Sequence, residues 1–372
     1  MQKKIRAIGA LVLVALWALL IGFAWFSPAN ATSEAERRPL KQWPAFSAEA
    51  LLNGKFMTDF ESYTLDQFPL RDSFRQIKSL FHYYVWNQSD NNNIYIVDGY
   101  AAKMEYPLMD SSVALASMRL QEIYDHYLAG TQCKPYLTII PDKGYYLAEQ
   151  NGYLSMDYDK LFATMQEKLP WATYVDITDC LDIGDYYRTD THWRQEQILP
   201  VAQKLSSALG VTAPQEKDFT VQQVTRPFYG VYYGQAALPM DPEPMYLMRS
   251  PLLEKCTVMS HDNKPSKIYN MGMMQSKDLY DIYLSGMQLV QVINNPTAKT
   301  DKELIVFRDS FGSSLIPLLI QDYKTITVVD TRYIAPHLIS QYVTFTDQDV
   351  LFAYSTLVLN SASALQPGIW PK

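Results

Sequence analysis

Histidine is scarce in this chain, with five in 372 residues, and cysteine scarcer still at three. Cys133, Cys180 and Cys256 lie far apart, without a CxxC or the Cys/His spacing that holds zinc, so no metal site is expected. Their pairing stays open between one disulfide with a free thiol and three buried thiols. Long basic runs are missing too. With 32 Lys and Arg against 39 Asp and Glu the net charge is −7, and nucleic-acid binding has no electrostatic footprint. There is no nucleotide-binding loop, so no cofactor is expected. No internal repeat or low-complexity tract occurs.

Long apolar runs are also absent, except for one. Ala7 to Phe26 carries no charge over twenty residues. A helix of that length spans the bilayer's hydrocarbon core of about 30 Å. Lys3, Lys4 and Arg6 precede it and place the short N-terminal side in the cytoplasm. The rest of the chain is then extracytoplasmic. Ala29-Asn30-Ala31 fits a signal-peptidase site, so secretion after cleavage competes with a retained anchor. The run exceeds the roughly 7–15 residues of a signal-peptide core, which favours the signal anchor. No lipobox cysteine follows it.

Beyond residues 1–28, residues 29–92 read as a linker and a helical segment. Ser47 is a candidate N-cap, and Phe74, Ile77, Leu80, Phe81 and Tyr84 line one face of a helix that Pro69 introduces. From residue 93 to 372 short apolar runs alternate with helical stretches. Strands are expected at 94–97, 135–140, 173–177, 303–307, 325–329 and 349–354. Helices are expected at 110–129, 158–168, 194–209, 312–321 and 335–344. This alternation predicts an α/β fold, a mostly parallel sheet flanked by helices. Residues 211–262, rich in Pro, Gly and Tyr, interrupt it and read as a β-rich insertion.

What is plentiful is aromatic: 27 Tyr, 15 Phe and 7 Trp. Such side chains stack on sugars and also fill cores. Two stretches carry candidate chemistry. In "ELIVFRDSFGSSLIPLL" (303–319) a buried strand runs into Ser310 and then a helix. A hydroxyl there stands at the carboxyl end of the sheet, beside the N–H groups of a helix N-terminus that can stabilise an oxyanion. Gly312 would let backbone approach a substrate. Ser310 equally suits a helix cap. In "YYRTDTHW" (186–193) Asp190 and His192 are two apart, which in extended chain puts both side chains on one side. A carboxylate on one ring nitrogen leaves the other free to act as a base. The alternative is a structural His beside a capping Asp. Lys143 reads as a solvated surface lysine.

"YYRTDTHW" and "FRDSFG" (307–312) together resemble the signature blocks of DHHW proteins, SGNH-hydrolase-like relatives of the alginate O-acetyltransferase proteins. Weaker blocks follow in order: "DQFPLRDSF" (66–74), "IYIVDGY" (94–100), "IIPDKGYYL" (139–147), "DLYDIYLSGMQ" (278–288), "VINNPTAK" (292–299) and "VVDTRY" (328–333). The likeness covers about residues 60–360, with two departures. Thr191 replaces the first His of the Asp-His-His-Trp block, and Arg308 the Gly of the usual Gly-Asp-Ser.

The resemblance implies an SGNH-like fold, with Ser310 as nucleophile, His192 as base and Asp190 as the acid that orients it. It implies an oxyanion hole from a glycine N–H and an asparagine, for which Gly286, Asn294 and Asn295 are candidates. Tyr187, Arg188 and Trp193 would line a sugar site or pack the loop, and Arg308 would face a ligand or pack. The activity implied is O-acyl transfer, chiefly acetyl, to a polysaccharide acceptor, with a multipass membrane acyltransferase as acyl donor. An esterase with the same residues, and a non-catalytic envelope-assembly protein, are the alternatives.

Overall fold

The larger part of the chain folds around a sheet in which five neighbouring strands run parallel. The computed structural model describes residues 2–33 and 35–370. Met1, Glu34, Pro371 and Lys372, with the side chains of Gln2 and Lys3, lie outside the described residues. The basic flank expected at Lys3 and both ends of the expected domain ranges fall among these. The described chain divides into two units. One runs to Asn92 and includes Tyr233–Pro239; the other comprises Asn93–Tyr232 and the chain from Met240 onward.

In the first unit α1 spans Gln2–Phe26, and its apolar part, Lys4–Phe26, is long enough to cross a membrane with none of it buried. Ser47 caps a short helix, accepting from the Ala50 amide at 3.0 Å. Helix α2 spans Lys55–Asp66 and α3 Arg71–Leu80, the latter prolonged by a π-helical turn over Phe81–Val85.

The second unit holds an eight-stranded sheet. Its strands are β1 (Lys134–Ile140), β2 (Thr173–Tyr174), β3 (Thr257–Ser260), β4 (Pro265–Ser266), β5 (Val290–Asn294), β6 (Glu303–Arg308), β7 (Thr325–Val329) and β8 (Asp349–Ser355). Their order is β4-β3-β5-β7-β6-β8-β1-β2. The pairs from β7 to β2 are all parallel, whereas β5, β3 and β4 extend the sheet by antiparallel pairing. The parallel strands read as unbroken apolar runs because both sheet faces are covered. Leu304 and Val306 of β6 enter one core, Ile305 and Phe307 the other. That is the two-residue alternation of a strand. Helices α4 (Asp110–Ile123) and α5 (Tyr158–Lys168) cover one face; α6 (Leu199–Ala208) and α7 (Gly312–Leu319) cover the other.

The β-rich stretch 211–262 has two roles. Thr220–Gln223 and Tyr246–Arg249 form an antiparallel pair of their own, and β3 joins the main sheet. The helix expected at 194–209 begins only at Leu199, because residues 189–197 are drawn into an irregular loop. The three cysteines are free thiols.

Phe307 is fully buried and stacks on Phe352 of β8, centroids 4.8 Å apart. Phe307→Ala should cost about 3–5 kcal/mol by opening a cavity in the strand that precedes Ser310. Urea unfolding of the detergent-solubilised chain measures it. A loss under about 1 kcal/mol would mean that this face of β6 is not the packed layer described.

Candidate active site

Residues 304–309 and 311–320 are all buried, and Ser310 between them is not. The turn that presents it is held by Asp309. One carboxylate oxygen accepts from the Phe311 amide at 3.0 Å, the other from the Ser355 amide at 2.7 Å. The turn after β6 is thereby tied to the end of β8. No side chain caps α7, so Ser310 does not serve the helix as a cap. The N–H groups of Phe311, Gly312 and Ser313 are all taken within the turn, which removes them as the oxyanion donors expected there. Gly312 is also placed differently. A Cβ on it would stand 2.8 Å from Cβ of Arg308, so its bareness accommodates that side chain rather than a substrate.

Asp190 and His192 meet as their spacing suggests. The buried Asp190 carboxylate accepts from His192 Nδ1 at 2.6 Å and from the His192 amide at 3.1 Å; its other oxygen accepts from the Val231 amide at 2.8 Å. This fixes the tautomer with Nδ1 protonated. The other nitrogen, Nε2, is buried and has no hydrogen-bond partner among the described residues. The ring lies flat on Tyr280, centroids 3.9 Å apart at 6°, and edge-on to Phe311 at 5.0 Å. His192 therefore touches the residue next to Ser310.

The loop is fastened to the helix that follows Ser310. The Trp193 indole donates to Ser314 Oγ at 2.9 Å and to the Phe311 carbonyl at 3.2 Å. Tyr280 shares a 2.7 Å bond with the same Ser314 hydroxyl. Gln195 donates to the Ser314 carbonyl at 2.9 Å. The insertion backs the loop from the other side. Glu243 accepts from the Arg188 and Thr189 amides, and Gly230 donates to Thr189 Oγ1. A Cβ on Gly230 would fall 2.3 Å from Cα of Asp190, so only glycine fits.

Several expected ligand-facing residues are structural instead. Trp193 and Tyr187 are fully buried, Trp193 in the bonds above and Tyr187 edge-on to Phe228, so neither offers a face to a sugar. Arg188 is exposed, over the Tyr100 ring at 5.7 Å. Arg308 is buried and turned toward Asp330 at 3.3 Å, itself clasped by Arg332. Gly286 adopts φ +69°, and its N–H is spent on the Tyr283 carbonyl at 3.2 Å. Asn294 ends β5, which runs antiparallel and pairs with Thr325 at the start of β7, so it lies at the opposite end of the sheet from Ser310. Asn295 is buried beside it, clamping the carbonyls of Ile320 and Tyr323. Gly286, Asn294 and Asn295 thus drop out as oxyanion donors.

Lys143 is not on the surface. It is buried, with Nζ donating to the carbonyls of Tyr187 and Arg188 at 3.0 and 3.3 Å and lying 5.0 Å from the Tyr232 ring centre. It holds the start of the Asp190 loop. Burial pushes its pKa down to about 7, against the opposing pull of Asp190, Glu243 and Asp142. Tyr280, Gly230, Ser314 and Lys143 carried no local signal of these roles. Each role is made by contacts across more than 30 residues.

Two solved structures share this fold. A DHHW family protein from Eubacterium siraeum is 21% identical over 74% of this chain and 94% of its own, with a TM-score of 0.59. PatB1 from Bacillus cereus is 17% identical over 72% of this chain and 96% of its own, with a TM-score of 0.56, and has also been solved with a sulfonyl adduct. The O-acetyltransferase domain of Pseudomonas putida AlgJ aligns more loosely: 13% identity, 72% and 92% of the two chains, TM-score 0.44. No family model and no curated protein matches the chain. The chain has the α/β fold of the DHHW family protein, SGNH-hydrolase-like, as the resemblance of its motifs implied.

Lys143 gives the folded chain a signature in pH. Unfolded, it keeps its proton up to the ordinary value of 10.5; folded, only to about 7. Between these values the unfolded state binds more protons, so stability rises with pH across that window. Denaturant unfolding of wild type and Lys143→Met at pH 7, 8, 9 and 10 should show wild type gaining on the variant at each step. Parallel curves would place Lys143 in solvent.

Proposed function

We propose that this chain is an extracytoplasmic O-acyltransferase that moves an acetyl group to a hydroxyl of a polysaccharide through a covalent ester on Ser310. The observation that carries the reading is His192. A buried imidazole with Asp190 on Nδ1 and no partner on Nε2 is the arrangement of a general base awaiting a proton. The ring rests against the residue adjacent to the one unburied hydroxyl in that stretch.

Ser310 Oγ attacks the acyl carbonyl while Nε2 takes its proton, and the donor's leaving group departs with that proton. Asp190 keeps the imidazolium oriented and partly neutralised. A sugar hydroxyl then gives its proton to Nε2 and attacks the ester, and Ser310 recovers the proton as the acyl group leaves. A sulfonyl adduct, as solved on the Bacillus cereus protein, is a product that an activated nucleophile forms with a sulfonylating reagent. The unburied apolar span Lys4–Phe26 supports a membrane anchor that keeps Ser310 outside the cytoplasm, near a multipass acyl donor. Arg308, which replaces the usual Gly two residues before Ser310, is buried and paired with Asp330.

Intact mass spectrometry after brief exposure to an activated acetyl ester tests this. Wild type should gain one acetyl group on Ser310; Ser310→Ala and His192→Ala should not. Transfer to an oligosaccharide should fall by about 10⁴–10⁶ in either variant. Since Ser310 caps nothing, Ser310→Ala should change stability by no more than about 0.5 kcal/mol. Full activity in Ser310→Ala would remove it as nucleophile. Release of the acetyl group to water with oligosaccharide present would make the protein an esterase.

A further inference from the structure

Helix α3 and the turn that prolongs it carry an apolar stripe that the rest of the N-terminal unit leaves exposed. Leu70, Phe74, Ile77, Phe81, Tyr84 and Val85 are all exposed, Ile77 at 62% and Tyr84 at 71%. At about 100° per residue they fall within roughly 100° of arc. The opposite side is polar and occupied. Arg71 and Arg75 pair with Glu36, Arg75 also donates to the Gly234 carbonyl, and Ser79 accepts from Asn91. The helix is held by its polar side with its apolar side outward, the reverse of a helix on a soluble core.

A second set of contacts indicates what this stripe faces. Just past the end of α1, the Asn30 amide donates to Gln67 Oε1 at 2.8 Å, and Gln67 Nε2 returns a bond to the Asn30 carbonyl at 2.9 Å. Gln67 lies three residues before Leu70, the first member of the stripe. Trp25, in the last turn of α1, meets Trp43 edge-on with centroids 6.3 Å apart, and Trp43 meets Phe60 and Tyr63. Aromatic girdles of this kind sit at the headgroup level of a bilayer. The stripe thus starts where the apolar length of α1 ends, and it runs about 21 Å from Leu70 to Tyr84.

We infer that this face of α3 lies in the boundary between headgroups and acyl chains of the bilayer that α1 crosses, on the leaflet where the rest of the chain resides. The inference rests on α1 being a retained anchor and is independent of the acyl-transfer chemistry. It gives the N-terminal unit two attachments, a spanning helix and a helix lying flat. A single spanning helix leaves the unit free to tilt and spin. The second attachment sets its orientation to the membrane plane.

The test uses the full chain in phosphatidylcholine–phosphatidylglycerol vesicles with brominated acyl chains. An environment-sensitive fluorescent amino acid replaces Ile77, or in a control the exposed Gln76, about 100° round the helix. Immersion of the stripe predicts that bromine quenches at least about half of the signal at 77 and less than about a tenth at 76. Flotation of the same samples reports α1 separately. A chain that floats with position 77 unquenched overturns the inference while the anchor stands. A chain that does not float removes both. An unquenched 77 that cross-links to a second copy or to a membrane protein assigns the stripe to that partner. None of these outcomes touches the Ser310 assignment.

Discussion

The site depends on one fastening, the bond from the Trp193 indole to Ser314 in the first turn of α7. Asp190 and His192 come from a loop, Ser310 from a strand end more than a hundred residues further on. Nothing local holds them together. Apart from an antiparallel bridge between Tyr186 and Trp193, the loop lacks regular structure from Thr189 to Gln197, so its position is set by what it is bonded to. Trp193 and Gln195 tie it to α7, Lys143 anchors its start, and Glu243 and Gly230 close it from the insertion. The bonds of Trp193, Gln195 and Lys143 are buried, where a lost partner leaves a polar group stranded at about 1–3 kcal/mol. The loop is therefore rigid without being a helix or a strand.

This construction explains why the aromatic neighbours of the dyad turned inward. A sugar platform and a packed core call for the same residue types. Trp193 follows His192 and Tyr187 lies three residues before Asp190, yet both are buried, Trp193 bonded to α7 and Tyr187 packed on Phe228. Arg308 likewise stands beside Ser310 in sequence but shares Asp330 with Arg332.

Much of the sheet was legible. The runs ending near Ile140, Phe307, Val329 and Tyr354 are apolar, short and bounded by turn residues, which marks buried parallel strands. Strand β5 was not among the expected strands, and because it runs against its neighbours, Asn294 and Asn295, which the resemblance offered as oxyanion donors, lie at the far end of the sheet. The pairing of Asp190 with His192 was legible because two residues of extended chain set it locally. Lys143 was misplaced because a lysine is seldom buried, and only the two carbonyls it reaches reveal that it is. Tyr280 beneath the imidazole had no signal either, since its partner lies 88 positions earlier.

Gly230 has a consequence for how such a protein can diversify. Its backbone is pressed against Asp190 so closely that no side chain fits between them. The insertion that carries it interrupts the alternation of strands and helices, and connecting segments of that kind tolerate changes of length and composition. Here a point near the middle of that segment is pinned by sterics to the dyad. New surface can be elaborated beyond the pin, while a single methyl group at position 230 would disable the site without altering any reacting atom.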